Sequence, residues 1–186
     1  MSQSSVALSK AVSHALRHQP WLYELELDEQ GWAPVPELLD ALRRSARWRD
    51  LQHEDLVAMI ESSPKQRHEL VGDRIRALYG HSLPGRIVQV PAEPPEALFH
   101  GTSEASWSTI LSGDLLPMGR QYVHLSADHE TAIAVGRRKG PRPVILQVAA
   151  ADAASSGVQF WRGNDMVWLA LRVPARFLRP VSQPAK

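Results

Sequence analysis

Between Leu83 and Pro95 the chain carries four prolines, Pro84, Pro91, Pro94 and Pro95, and almost no hydrophobic periodicity. Proline fixes φ and lacks an N–H, so neither a helix nor a central strand runs through such a stretch. It therefore reads as a linker or an extended crossing between two lobes, with boundaries at residues 1–82, 83–95 and 96–186. At 44% apolar residues, the chain can build a core in each lobe.

The first lobe reads as helices followed by a hairpin. Leu8, Val12, Ala15 and Leu16 recur at helical spacing, and Pro20 stops that helix. Lys10, His14, Arg17 and His18 share another face at spacings of three and four. Leu25 and Leu27 alternate with acidic residues and predict a short strand before the turn at Glu29-Gln30-Gly31. Helices are expected around 37–44 and 54–61, then strands over 65–71 and 74–78 about the turn Gly72-Asp73. Helices and a hairpin in so short a span suggest a winged-helix-like module. The second lobe is strand-rich, with strands expected near 97–100, 122–125, 143–148, 158–160 and 167–173. Helices are expected at 104–111 and 128–135, the second capped by Ser126 or Asp128, and the fold class is α+β.

Three polar clusters stand along the second lobe: Phe99-His100-Gly101-Thr102, Arg120 to Ser126, and Val135-Gly136-Arg137-Arg138-Lys139-Gly140. A glycine at a strand end removes the Cβ that would keep a ligand off the backbone, and the flanking imidazole and hydroxyl supply donors and acceptors. Taken singly, each cluster has an ordinary reading. Arg17 and His18 suit a helix C-terminus, where cations meet the dipole, and Arg137-Arg138-Lys139 suits a solvated face. Lys65 and Arg67 are within reach of Glu61 and Glu69, and Trp161 and Trp168, among apolar neighbours, suit a core.

Charge and cysteine content narrow the function classes. The net charge is +1, so no global basic field advertises a nucleic-acid partner, and a bound polyanion has to be held by a few placed arginines. There is no cysteine, which excludes disulfides and thiolate metal sites. Neither a leader-like pattern at Met1 to Ser5 nor a membrane-length apolar run is visible, and the expectation is a cytoplasmic monomer without membrane association.

Six segments in order carry a resemblance: Leu16-Arg17-His18-Gln19-Pro20, Lys65-Gln66-Arg67, Arg76 with Gly80-His81-Ser82, Phe99 to Thr102, Gln121 to Ser126, and Val135 to Arg138. Together they resemble the RNA 2'-phosphotransferase (tRNA 2'-phosphotransferase) family. The resemblance implies a winged-helix RNA-binding lobe, an NAD-binding lobe of ADP-ribosyltransferase fold, and a place in RNA processing such as tRNA splicing. It implies that NAD is the co-substrate for removing an internal RNA 2'-phosphate, and nothing in the sequence itself calls for a metal. The family's catalytic positions fall on Arg17, His18, Arg67 and Arg138, and its NAD-binding positions on His100, Gly101, Thr102, His124, Leu125 and Ser126. Lys65, Gln66, His81 and Ser82 are implied to contact the RNA. Arginine suits the task, because its planar fork of donors matches phosphate oxygens.

Relatives that modify proteins often place a glutamate on a late strand, whereas Met166-Val167-Trp168 has no carboxylate there. His68 stands where family members commonly have an aromatic residue, and Tyr122 where a histidine is common. Two other functions remain open. One is an ADP-ribosyltransferase acting on nucleic-acid phosphate ends, and the other is a winged-helix nucleic-acid-binding protein that senses NAD.

Overall fold

The apolar spacing near the N-terminus becomes helix α1 (Gln3–Arg17), which buries Leu8, Val12, Ala15 and Leu16. In this computed structural model, which describes residues 3–181, the fold class is α+β. The chain divides into two units, Met1–Val88 and Gln89–Lys186.

The first unit adds α2 (Val35–Arg43), α3 (His53–Glu61) and three strands, β1 (Trp32–Pro34), β2 (His68–Val71) and β3 (Arg74–Ala77). The sheet is antiparallel in the order β1-β3-β2. Its inner face gives Ala33, Ile75 and Ala77 to a core shared with Leu16, Leu38, Leu56 and Met59. Arg74 and Arg76 alternate outward, where Arg76 pairs with Glu69 at 2.6 Å and Arg74 with Asp28.

The strand expected over Leu25–Leu27 does not form. After the 3-10 turn Pro20–Tyr23, Glu24 adopts φ +55° and returns its N–H to that turn, which breaks an extended run. Asp28 Oδ1 then accepts from the backbone N–H groups of Gln30 and Trp32. Leu25 is nevertheless buried, so the alternation reported burial while local hydrogen bonding decided the backbone. The expected strand 65–71 is shorter and starts at His68. Ile87 is buried and the Val88 N–H donates to the Glu29 carbonyl, so the first half of the proline-rich stretch is packed in this unit.

The second unit is built on a six-stranded antiparallel sheet. Its strands are β4 (Ala97–Thr102), β6 (Val123–Ser126), β7 (Val144–Ala149), β8 (Phe160–Arg162), β9 (Val167–Ala170) and β11 (Leu178–Val181), in the order β11-β7-β4-β6-β9-β8. Helices α4 (Glu104–Leu111) and α5 (His129–Gly136) fall where the sequence put them, and α6 (Ala150–Ser155) follows β7. Asp128 caps α5, its Oδ1 accepting from the Thr131 N–H at 2.7 Å. The single strand expected over 167–173 breaks after Ala170, and Val173–Pro174 (β10) pairs instead with Asp114–Leu115 (β5). Strand β8 begins at Phe160, later than expected. Trp161 and Trp168 are buried. Among the described residues no helix is long and apolar enough to cross a membrane.

Gly101 is where this unit leaves no room. A Cβ there would strike the Ala132 carbonyl oxygen and stand 2.8 Å from Gly136 Cα and N, all backbone atoms of α5. The missing side chain thus lets α5 lie directly on β4. We expect Gly101→Ala to cost about 3 kcal/mol or more, since backbone cannot yield as a side chain does. For a unit of this size that is a fall of roughly 10 °C or more in thermal midpoint. An unchanged melting curve would mean that β4 and α5 do not approach so closely.

Candidate functional site

In the first unit, five of the residues singled out from sequence gather around the C-terminus of α1. Arg17 ends the helix, and its Nη2 donates to the Arg67 carbonyl at 3.0 Å. Its guanidinium lies over the Tyr79 ring, 5.1 Å from the centroid. Gly80, at φ +89°, lies alongside, and a Cβ there would stand 3.4 Å from Arg17 Nη1. A carbonyl, a phenol face and a bare backbone thus frame the fork.

The strap after β3 closes onto the same helix end. The Ser82 N–H donates to the Arg17 carbonyl at 2.9 Å, and Ser82 Oγ lies 2.8 Å from His18 Nδ1. His18 is exposed, and Arg67 is half-buried with Nη1 donating to Ser63 Oγ at 3.3 Å. His81 is buried, and its burial, with Arg17, His18 and Arg76 nearby, pushes its pKa down to about 4. Lys65 and Gln66 are exposed just before Arg67. An exposed imidazole beside two arginines can bind an anion and stabilise charge developing on it.

The second unit holds the remaining candidates around a parting in its sheet. Strand β4 pairs with β7 along all its length, from Ala97↔Ala149 to Thr102↔Val144, but with β6 only at Phe99↔Ser126. Beyond Phe99 the two strands separate, and His100 Nδ1 reaches the His124 carbonyl at 2.9 Å. A carbonyl can only accept, so Nδ1 carries the proton and Nε2 of the neutral ring is an acceptor. Burial pushes the His100 pKa down to about 4; the hydrogen bond opposes this, and Lys139 and Arg120 reinforce it. Lys139 is itself lowered by burial and by Arg120.

Gly101, Thr102 and Ser126 are buried beside this parting, and the Leu125 side chain packs in the core of the unit. His124 Nδ1 lies 3.0 Å from the Tyr122 carbonyl. Arg138 lies just past α5, exposed and without an ion pair among the described residues. The Ser13–His68 pair and Tyr79 were not found from sequence. Ser13 Oγ lies 3.0 Å from the buried His68 Nε2, a contact across 55 residues that no local pattern announces.

Sequence comparison settles the family. A model described as RNA 2'-phosphotransferase, Tpt1 / KptA family, matches residues 3–172. The chain belongs to the RNA 2'-phosphotransferase family. It is 55% identical to a "Probable RNA 2'-phosphotransferase" of Bacillus thuringiensis subsp. konkukian, over 92% of each chain. A protein of the same description from Acetivibrio thermocellus is 49% identical over 92% of this chain and 94% of its own, and one from Rhizobium rhizogenes 44% over 94% and 93%. The matched range includes Arg17, Arg67 and Arg138.

The buried histidines give a stability prediction. His68 is held down to about 3, by burial first and then by Arg17 and Arg67, and His81 and His100 to about 4. In the unfolded chain each ring titrates near about 6.5. Below that pH the unfolded state takes up protons that the folded state refuses. Stability is therefore whole above about pH 6.5 and falls with acid, by up to about 1.4 kcal/mol per pH unit for each histidine. The loss continues to the folded pKa values, and thermal midpoints measured from pH 7 to 5 should fall before the carboxylates titrate. A midpoint that stays flat across that interval would contradict neutral burial of these rings.

Proposed function

We propose that the chain is an NAD-dependent RNA 2'-phosphotransferase that removes an internal 2'-phosphate from RNA. The observation that carries this reading is the family match over residues 3–172, which contains every proposed catalytic position. The three helices and the β1-β3-β2 sheet of the first unit support a winged-helix reading of the RNA-binding lobe. The parted sheet of the second unit supports an ADP-ribosyltransferase-like NAD site. His100 Nε2 suits a ribose hydroxyl there, and Arg120 with Lys139 suits a diphosphate.

Two steps follow. An oxygen of the RNA 2'-phosphate attacks the anomeric carbon of the nicotinamide ribose, and nicotinamide leaves with the bonding pair. The product is RNA whose 2'-phosphate carries ADP-ribose. The ribose 2''-hydroxyl then attacks the phosphorus and gives up its proton, and the RNA 2'-oxygen leaves and takes one. ADP-ribose 1'',2''-cyclic phosphate and RNA with a free 2'-hydroxyl result. A phosphate is already an anion, so the first step needs positioning rather than a base. Arg17, Arg67 and Arg138 supply forks for its oxygens, and His18 a further donor.

The deciding experiment incubates the protein with NAD and a short RNA carrying one internal 2'-phosphate, and follows RNA and small products by mass spectrometry. Loss of the phosphate with release of the cyclic phosphate is expected. RNA that keeps its phosphate and gains ADP-ribose would move the function to ADP-ribosylation of nucleic acid. NAD binding without turnover would favour the sensor. Arg138→Ala should lower the turnover rate at least about a hundredfold, as expected on removing a charge-stabilising donor, and near-normal turnover would remove Arg138 from the mechanism.

A further inference from the structure

The Ser13–His68 pair lies outside the proposed phosphate set, yet it is built into its frame. Ser13 stands on α1 one helical turn before Arg17, so the two residues share a face of the helix. His68 opens β2, directly after Arg67. The helix and the strand are therefore joined twice. Ser13 Oγ meets His68 Nε2 at 3.0 Å, and one turn further on Arg17 Nη2 donates to the Arg67 carbonyl at 3.0 Å.

The geometry points to Ser13 and His68 as positioning residues for phosphate transfer, fixing how α1 sits along β2 and so how far apart the Arg17 and Arg67 forks stand. This rests on the reading that those arginines hold the RNA 2'-phosphate.

The chemistry of the pair favours placement over packing. His68 is 3% exposed, and an apolar pair of the same shape would fill that space with no polar group to satisfy. A hydrogen bond adds direction, because it holds only over a narrow range of distance and angle. Charge is excluded from the pair: burial together with Arg17 and Arg67 keeps the ring neutral at any working pH. The link thus adds nothing to the positive field the phosphate meets. It acts one step behind the arginines, whose placement matters because misalignment of about 1 Å can cost about a hundredfold in rate.

The test compares Ser13→Ala, His68→Phe, the double variant and His68→Gln in the phosphate-removal assay. Ser13→Ala deletes one atom at a half-buried position and His68→Phe keeps the ring volume, so both are suited to folding. Each should lower kcat/KM for the RNA about tenfold, by displacing the forks a fraction of that distance. The double variant should be no worse than either single one, since both remove the same bond. His68→Gln, whose amide reaches where Nε2 stood, should recover most of the loss, and the KM for NAD should not move. Ser13→Ala and His68→Phe proteins that melt earlier but keep kcat/KM within about twofold of the parent would overturn the inference and leave the pair as packing. Arg17→Ala with full turnover would instead overturn the phosphate-site reading itself, and Arg17→Ala without turnover beside a normal Ser13→Ala would overturn only this inference.

Discussion

The donation from Arg17 to the Arg67 carbonyl is the contact on which the first unit's site depends. It brings the last residue of a helix onto the residue before a strand, elements 50 positions apart in the chain. A cation also suits that place, because the C-terminal end of a helix is its negative pole. The Arg17 guanidinium reaches the Arg67 carbonyl and lies over the Tyr79 ring. Arg76 and Arg74 are different: each faces a carboxylate, Glu69 and Asp28, and is matched before any ligand arrives. Arginine thus serves two structural purposes in one small unit, pairing with carboxylates on the sheet surface and tying the end of α1 to the start of β2.

The second unit keeps one six-stranded sheet together although β4 and β6 pair at a single position, Phe99↔Ser126. Strand β4 keeps its whole register with β7, so its backbone remains anchored on one side. On one face α5 presses onto Gly101, and the close backbone contact fixes where the strand runs. Its other edge is then free to part from β6 after Phe99, and His100 spans the parting to the His124 carbonyl. The absent Cβ of Gly101 is filled by the protein's own helix. The space this glycine opens is therefore taken up by packing, where the sequence suggested the close approach of a ligand.

The sequence patterns that survived into structure are those enforced locally. Helix α4 carries its own N-cap in Ser103, and α5 in Asp128, so both ends could be read from neighbouring residues. Strands β4, β6 and β7 were legible from short apolar runs between polar clusters. Leu25–Leu27 was misread because alternation reports which side chains are buried and not whether a partner strand lies beside them. The break after Ala170 escaped for a related reason, since β9 and β10 lie in one stretch that is apolar but for Arg172 and is divided between two sheets by tertiary pairing. Helix α6, mostly alanine, has no apolar stripe to announce it. In the first unit's cluster, Arg17 and Arg67 were singled out from sequence, whereas Tyr79 and the Ser13–His68 pair became visible only when the chain was folded.

Histidine and arginine divide the electrostatic work between them. Three rings, His68, His81 and His100, are buried beside cations, and burial first and those cations next hold each ring neutral well below ordinary pH. A protonated ring at any of these places would be unsolvated and would repel the nearest arginine or lysine. Neutral, each can still donate at one nitrogen and accept at the other, so it directs hydrogen bonds without adding charge. The fixed positive charge is left to guanidinium groups, which do not titrate. Within each unit the buried rings can therefore direct hydrogen bonds without adding a charge that switches with pH across the physiological range.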